Sequence, residues 1–143
     1  MSVLCVLPAR IASERIPRKP LREIAGRPLI EWSWRAARRV DAFDEVWVAT
    51  DDEEVVRAVE GFGGTAVLTD PAHPSGTDRV AEAARRPEAR EHRIVVNCQA
   101  DEPFLDPATV GRTAGAVDED GGPGVATVAV PLEDEEAWRS ESV

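Results

Sequence analysis

The sequence predicts an α/β fold with a mostly parallel sheet covered by helices on both faces. Two observations carry this expectation. Short, continuously apolar runs alternate with stretches of helical period along the chain, and strands buried on both faces read as such runs. Pro, Gly and capping residues fall at the junctions between them. Repeated strand–helix–strand units of this kind bind ligands beyond the carboxyl ends of the strands, so the loops that follow strands are the ones to inspect.

Val3 to Leu7 reads as the first buried strand, ended by Pro8. Pro28 suits the first turn of a helix running to about Val40, with Leu29, Trp32, Ala36 and Val40 along one stripe. Glu45 to Ala49 is a second strand. Thr50-Asp51-Asp52-Glu53 has the spacing of a capping box and opens a helix with Val55, Val59 and Phe62 inward. Gly61-Phe62-Gly63-Gly64 stops it; the run follows a helix instead of a strand, so it is no dinucleotide fingerprint. Ala66 to Leu68 is a third strand, and Ser75-Gly76-Thr77-Asp78 caps a helix carrying Val80, Ala81 and Ala84. Ile94 to Cys98 is a fourth strand. Asp106-Pro107 opens a helix with Val110, Ala114 and Val117 inward, Asp118 to Gly124 is a turn, and Val125 to Val130 is a fifth strand.

The 143 residues suit one domain with a real core. No apolar run approaches the ~18 residues of a membrane span, and the N-terminus has no basic region of a signal peptide. The expectation is a cytoplasmic protein. Cys5 and Cys98 lie in apolar runs without metal-ligand spacing, and read as buried, reduced core residues. A net charge of −10 argues against nucleic acid and anionic membranes as partners. The charge is unevenly placed: residues 1–39 hold nine Arg/Lys against three Asp/Glu, a net +6, and the remainder carries a net −16. Lys19, the one lysine, lies in the densest basic stretch.

That stretch follows the first strand. Arg10 to Lys19 places four cations and one anion in ten residues. Like charges at ~4 Å repel by ~1 kcal/mol in water and more beside a low-dielectric wall. A polyphosphate relieves this, with guanidinium forks on phosphate oxygens and an ammonium on the leaving group; a solvated basic loop paired to carboxylates is the alternative. No Gly-x-x-x-x-Gly-Lys-Ser/Thr is present, which excludes a P-loop. After the fourth strand comes Asn97-Cys98-Gln99-Ala100-Asp101-Glu102-Pro103. Asp101 is the candidate Mg²⁺ ligand, since that ion takes one or two carboxylates plus substrate phosphates; capping of the next turn is the alternative. Glu102 is weaker, because neighbours at a strand end point apart. Gln99 can read a base edge. In His73-Pro74-Ser75-Gly76-Thr77-Asp78-Arg79, a glycine beside a hydroxyl admits a flat ligand such as a nucleobase, or simply caps a helix. His73 reads as a turn residue and His92 as part of a charged surface run, leaving a Ser-His-Asp triad unsupported.

Three motifs fall in one order: Leu7 to Leu21, His73 to Arg79 and Asn97 to Pro103. Together with Val48-Ala49-Thr50-Asp51 and Ala126 to Pro131 they resemble the 3-deoxy-manno-octulosonate (Kdo) cytidylyltransferases, the CMP-Kdo synthetases of lipopolysaccharide assembly. The resemblance spans essentially all 143 residues. Sialic-acid cytidylyltransferases share the arginine-lysine loop, but Lys19-Pro20-Leu21 and His73 to Arg79 look like the Kdo branch.

The resemblance implies a Rossmann-like, three-layer αβα nucleotidyltransferase fold with the C-terminal part missing. Residues 1–143 would be the single nucleotide-binding part of a cytidylyltransferase domain. It implies Mg²⁺-dependent transfer of CMP from CTP to the anomeric hydroxyl of Kdo with release of pyrophosphate, and a homodimer in the full-length form. Arg10, Lys19 and Asp101 match the catalytic positions, with Asp101 the metal ligand. Pro8, Ala9, Arg10, Ser13, Arg15, Lys19, Ser75, Gly76 and Gln99 match positions around CTP. A transferase for sialic acid or a related nonulosonic acid, and a non-catalytic CTP-binding fragment, are the alternatives. Chains of that family run on past this length, and the further part would carry the sugar-acid pocket, a second metal-ligand aspartate and most of the dimer contact. Three positions depart from the pattern: Ala100 and Arg18 stand where glycine is usual, and Glu14 where a small hydroxyl residue is frequent.

Overall fold

The computed structural model describes residues 2–12, 15–119, 124–129 and 131. Its main sheet has four parallel strands: β1 (Val3–Ala9), β4 (Glu45–Thr50), β5 (Thr65–Leu68) and β6 (Ile94–Asn97), in the order β5-β4-β1-β6. Between them run α1 (Leu29–Ala37), α2 (Glu53–Gly61) and α3 (Gly76–Ala84), and α4 (Pro107–Glu119) follows β6. The chain steps outward from β1 through β4 to β5, then crosses back to place β6 on the other side of β1. The order of strands therefore reverses between β1 and β6, which opens a crevice at their carboxyl ends.

β1 is the axis of this arrangement. Its alternate residues supply two cores: Val3, Cys5, Leu7 and Ala9 pack with Ile30 and Ala37 of α1, Val55 and Val59 of α2 and Ala114 of α4. Leu4 and Val6 pack on the other face with Val80 and Ala83 of α3. Both faces are dry, with Val3 to Val6 showing no exposed surface. Truncating Leu4 to Ala would cost ~2–5 kcal/mol.

Several boundaries differ from expectation. β1 does not stop before Pro8 but runs through it to Ala9. Alternate residues turn their peptide groups to the same neighbour; the Val6 carbonyl accepts from the Cys98 N–H at 3.1 Å, so Pro8 faces that side too. There it lies beyond the last paired residues, Val6 and Asn97, where no N–H is needed. α1 ends at Ala37, short of Val40, because Arg39 and Val40 bond three residues back and tighten the last turn. Its inward face is Leu29, Ile30, Ser33, Ala36 and Ala37. Trp32 points elsewhere: its Nε1 donates to the Ile24 carbonyl at 2.7 Å, and the Arg27 guanidinium lies 5.1 Å from its ring. Both partners belong to a small hairpin, β2 (Glu23–Ile24) and β3 (Arg27–Pro28), that turns at Ala25-Gly26 with φ of 50° and 78°.

The cap of α2 is Asp52, whose carboxylate accepts from the Glu54 and Val55 N–H groups. Thr50, the expected cap, is instead the buried last residue of β4. Ser75 caps α3 and Asp106 precedes α4, as expected. α4 continues through Glu119 and so takes up the start of the expected turn, whose residues 120–123 lie outside the described ones. The fifth strand is not formed at residues 124–129: this stretch has no ladder partner among the described residues, and Val125 is 98% exposed. An apolar run becomes a strand only where it docks on an open edge, a condition that periodicity does not test; Val130 lies outside the described residues.

Candidate functional site

The loops after β1, β4 and β6 and the N-terminus of α3 converge at the carboxyl rim of the sheet. Two neighbouring clefts open there. One, of about 260 Å³, is lined by Pro8, Ala9, Arg10, Lys19, Gln99 and Asp101, among others. The other, of about 240 Å³, is lined by His73, Ser75, Gly76 and Arg79 and shares Pro8, Arg10 and Gln99 with the first. The shared residues make them two ends of one groove, with Lys19 and Asp101 at one end and Ser75 and Gly76 beside His73 and Arg79 at the other.

At the charged end the Lys19 Nζ donates to the Asp101 Oδ2. Lys19 opens a 3-10 turn, Lys19–Leu21, seated by the buried Pro20. The residue before it, Arg18, is in the left-handed region (φ 54°), which explains why glycine suits that position. Its side chain turns away to pair with Glu54, and that carboxylate holds the guanidinium above its ordinary pKa. Ala100 lines the first cleft and packs against the core. Glu102 is exposed and lines neither cleft, as does Arg15; Ser13 and Glu14 lie outside the described residues.

At the other end Gly76 approaches β1 so closely that a Cβ would sit 3.1 Å from the Pro8 Cγ. No side chain fits there without moving a proline ring. Ser75 donates to the Asp78 Oδ2 at 2.5 Å and accepts from the Asp78 N–H, fixing the first turn of α3. His73 is more than a turn residue: it lines this cleft and its Nε2 bonds Glu82. The Asp70 N–H and His73 together hold the Glu82 carboxyl below its ordinary pKa.

His92 is not a surface residue. Its side chain is 6% exposed, and its Nδ1 bonds the Ser2 hydroxyl at 2.8 Å on the opposite rim, away from the groove. Cys5 and Cys98 are buried free thiols; the hydrogen bond to Cys98 and burial push the Cys5 thiol up, well out of reach of ionisation.

Sequence reasoning missed Asp51 and Arg79 as partners. The Arg79 Nη2 lies 3.4 Å from the Asp51 Oδ2, and the other carboxylate oxygen accepts from the Ile11 N–H at 3.0 Å. Only the adjacency of Asp51 to a strand end hinted at it.

Among the described residues no group of three or more His, Cys, Asp or Glu could hold a metal by itself. Asp101 would offer one carboxylate to a hard cation, which takes one or two such groups together with water and phosphate oxygens. No helix among the described residues is long and apolar enough to cross a membrane.

The sequence profile of a family described as cytidylyltransferase matches residues 4–143. The chain is 54% identical over 135 residues to a 3-deoxy-manno-octulosonate cytidylyltransferase of Myxococcus xanthus, covering 94% of this chain and 53% of that protein. It is 47% identical over 141 residues to the enzyme of the same name from Anaeromyxobacter dehalogenans, covering 99% and 57%. Among solved structures, CMP:2-keto-3-deoxy-manno-octonic acid synthetase complexed with CTP superposes with a TM-score of 0.78 at 40% identity, covering 85% of this chain and 49% of that one. The chain thus spans about half the length of the curated relatives it matches.

Proposed function

The chain belongs to the cytidylyltransferase family, and on that premise we propose that it is the nucleotide-binding part of a 3-deoxy-manno-octulosonate cytidylyltransferase. The reaction transfers CMP from CTP to the anomeric hydroxyl of Kdo, giving CMP-Kdo for lipopolysaccharide synthesis. The hydroxyl oxygen gives up its proton to solvent and bonds the α-phosphorus, the bond from that phosphorus to the bridging oxygen breaks, and pyrophosphate leaves with the electron pair. The observation that carries the reading is the meeting of Lys19 with Asp101 in a groove that also holds Arg10 and Gln99, at the strand-order reversal.

Such a transfer asks the protein for positioning and charge neutralisation rather than covalent work. Arg10 and Lys19 take the triphosphate, with Lys19 toward the leaving pyrophosphate. Arg15 and Ser13 belong to the same loop and are assigned to the same ligand. Pro8 and Ala9 form the floor, Gln99 offers a donor and an acceptor to the base edge, and Ser75 and Gly76 let the base approach the backbone of α3. Asp101 would hold Mg²⁺, which when bound neutralises phosphate charge. Lys19 and Asp101 neutralise each other meanwhile, and each is the complement of one component of a metal–triphosphate. A homodimer of the full-length form and a cytoplasmic location go with this reading.

The alternative reading is that these 143 residues bind CTP without turning it over. Calorimetric titration with CTP and Mg²⁺, followed by a pyrophosphate-release assay with Kdo and with sialic acid, tests both. Binding with release on Kdo supports the transferase, and binding without release supports the CTP-binding fragment. Absence of CTP binding refutes both.

A further inference from the structure

We infer that Asp51 and Arg79 are a positioning pair, which sets the Arg10–Lys19 loop against the N-terminus of α3 so that the two clefts form one nucleotide groove; this rests on the CTP reading above. Arg79 is 2% exposed, and the Asp51 side chain 10%. The pair joins three elements. Arg79 comes from α3, four residues after the Ser75 cap. Asp51 follows the last residue of β4, and its Oδ1 accepts from the Ile11 N–H at 3.0 Å, the first peptide beyond Arg10. The Arg79 Nη1 donates to the Thr69 hydroxyl at 2.5 Å, which in turn donates to the Thr50 carbonyl at 2.9 Å. The guanidinium is thereby held from both sides.

Stability alone does not call for this arrangement. Well-packed apolar residues replace buried ion pairs with equal or greater stability. No apolar group, however, can accept the Ile11 N–H. The carboxylate is bifunctional: one oxygen faces the arginine of α3 and the other faces the loop that carries Arg10. A loop released at Ile11 loses its fixed distance to Ser75 and Gly76 across the groove, and misplacement of ~1 Å is enough to forfeit ~10²-fold in a preorganised site.

Asp51→Ala alone strands a buried guanidinium and is expected to unfold part of the protein, so two double variants make the test. D51L/R79M fills the space with apolar groups and removes the Ile11 acceptor. D51N/R79Q removes both charges but keeps an amide oxygen for Ile11 and a mutual hydrogen bond. Two quantities are read for each: amide hydrogen exchange at Ile11 in the ligand-free protein, and CTP affinity with Mg²⁺. D51L/R79M is expected to melt cooperatively, exchange faster at Ile11, and bind CTP about tenfold or more weakly. D51N/R79Q is expected to restore both readouts to within about threefold of the parent, an effect a purely structural role of the charges would not give. The inference is overturned if D51L/R79M binds CTP as the parent does, or weakens binding with no change at Ile11. If the parent itself takes up no CTP, the CTP reading falls, while faster exchange at Ile11 in D51L/R79M still upholds the anchoring.

Discussion

Lys19→Met removes one charge from the groove and keeps an unbranched aliphatic stem of similar length. The side chains of Lys19 and Asp101 are 34% and 46% exposed, and ion pairs in that setting contribute ~0.2–1 kcal/mol to folding. The substitution should therefore move the urea midpoint by no more than such an amount. Its effect on binding is larger, because the ammonium is assigned a charge-assisted hydrogen bond to phosphate worth ~1.5–3 kcal/mol. That converts to about a tenfold to hundredfold rise in the Kd for CTP. Calorimetry with CTP and Mg²⁺ at two salt concentrations, run beside urea melts, measures both quantities. The loss should shrink at the higher salt, since the groove is open to water. Unchanged affinity would refute the assignment of Lys19 to the triphosphate. A stability loss large enough to account for the weaker binding would refute the claim that the residue serves the ligand and not the fold.

Three further substitutions probe other parts of the molecule. Asp101→Asn should remove the Mg²⁺ dependence of CTP binding while shifting stability by less than ~1 kcal/mol, the range for a half-exposed pair; unfolding of the variant in a thermal melt would instead make Asp101 a structural cap. Ala25→Asn creates Asn-Gly at a turn whose first central residue has φ 50°, and should raise stability in a urea melt by about 0.5–1 kcal/mol, since Asn tolerates the left-handed region better than Ala. Glu82→Gln tests a pH dependence. The Asp70 N–H and His73 depress the Glu82 pKa, so the folded state binds fewer protons at this site than the unfolded chain. The stability contributed is fully present above the ordinary carboxylate pKa and is lost as pH falls through the depressed value. The difference in Tm between parent and variant should accordingly be largest near neutrality and vanish in acid; a difference that grows in acid would reverse the sign.

The four strands of the main sheet, their parallel pairing and the placement of the groove after them were legible because strands buried on two faces leave continuous apolar runs. That Arg10, Lys19, Gln99 and Asp101 line one cleft was legible because they lie in the loops that follow two of those runs. Other features depend on contacts that no local pattern encodes. The β2–β3 hairpin has strands of two residues, too short for any period, and its turn uses Ala25 where Asn or Gly would have announced it. Trp32 looks like a core residue by spacing, yet its indole N–H finds a carbonyl on that hairpin. Thr50 has the spacing of a cap, yet it is buried at the end of β4, and Asp52 caps α2 in its place. Val125 is as apolar as any strand residue but has no strand partner among the described residues. Asp51 and Arg79 are 28 residues apart, and only the fold reveals that one carboxylate serves two elements.

The bond between Lys19 and Asp101 has a thermodynamic consequence for how ligands arrive. An anion that claims the ammonium leaves the carboxylate without its counter-charge, and a divalent cation that claims the carboxylate releases the ammonium. Nucleotide and metal should then bind with positive heterotropic cooperativity, each raising the other's affinity by the same factor. Either one arriving alone must break the internal contact for itself; arriving together, they share that cost.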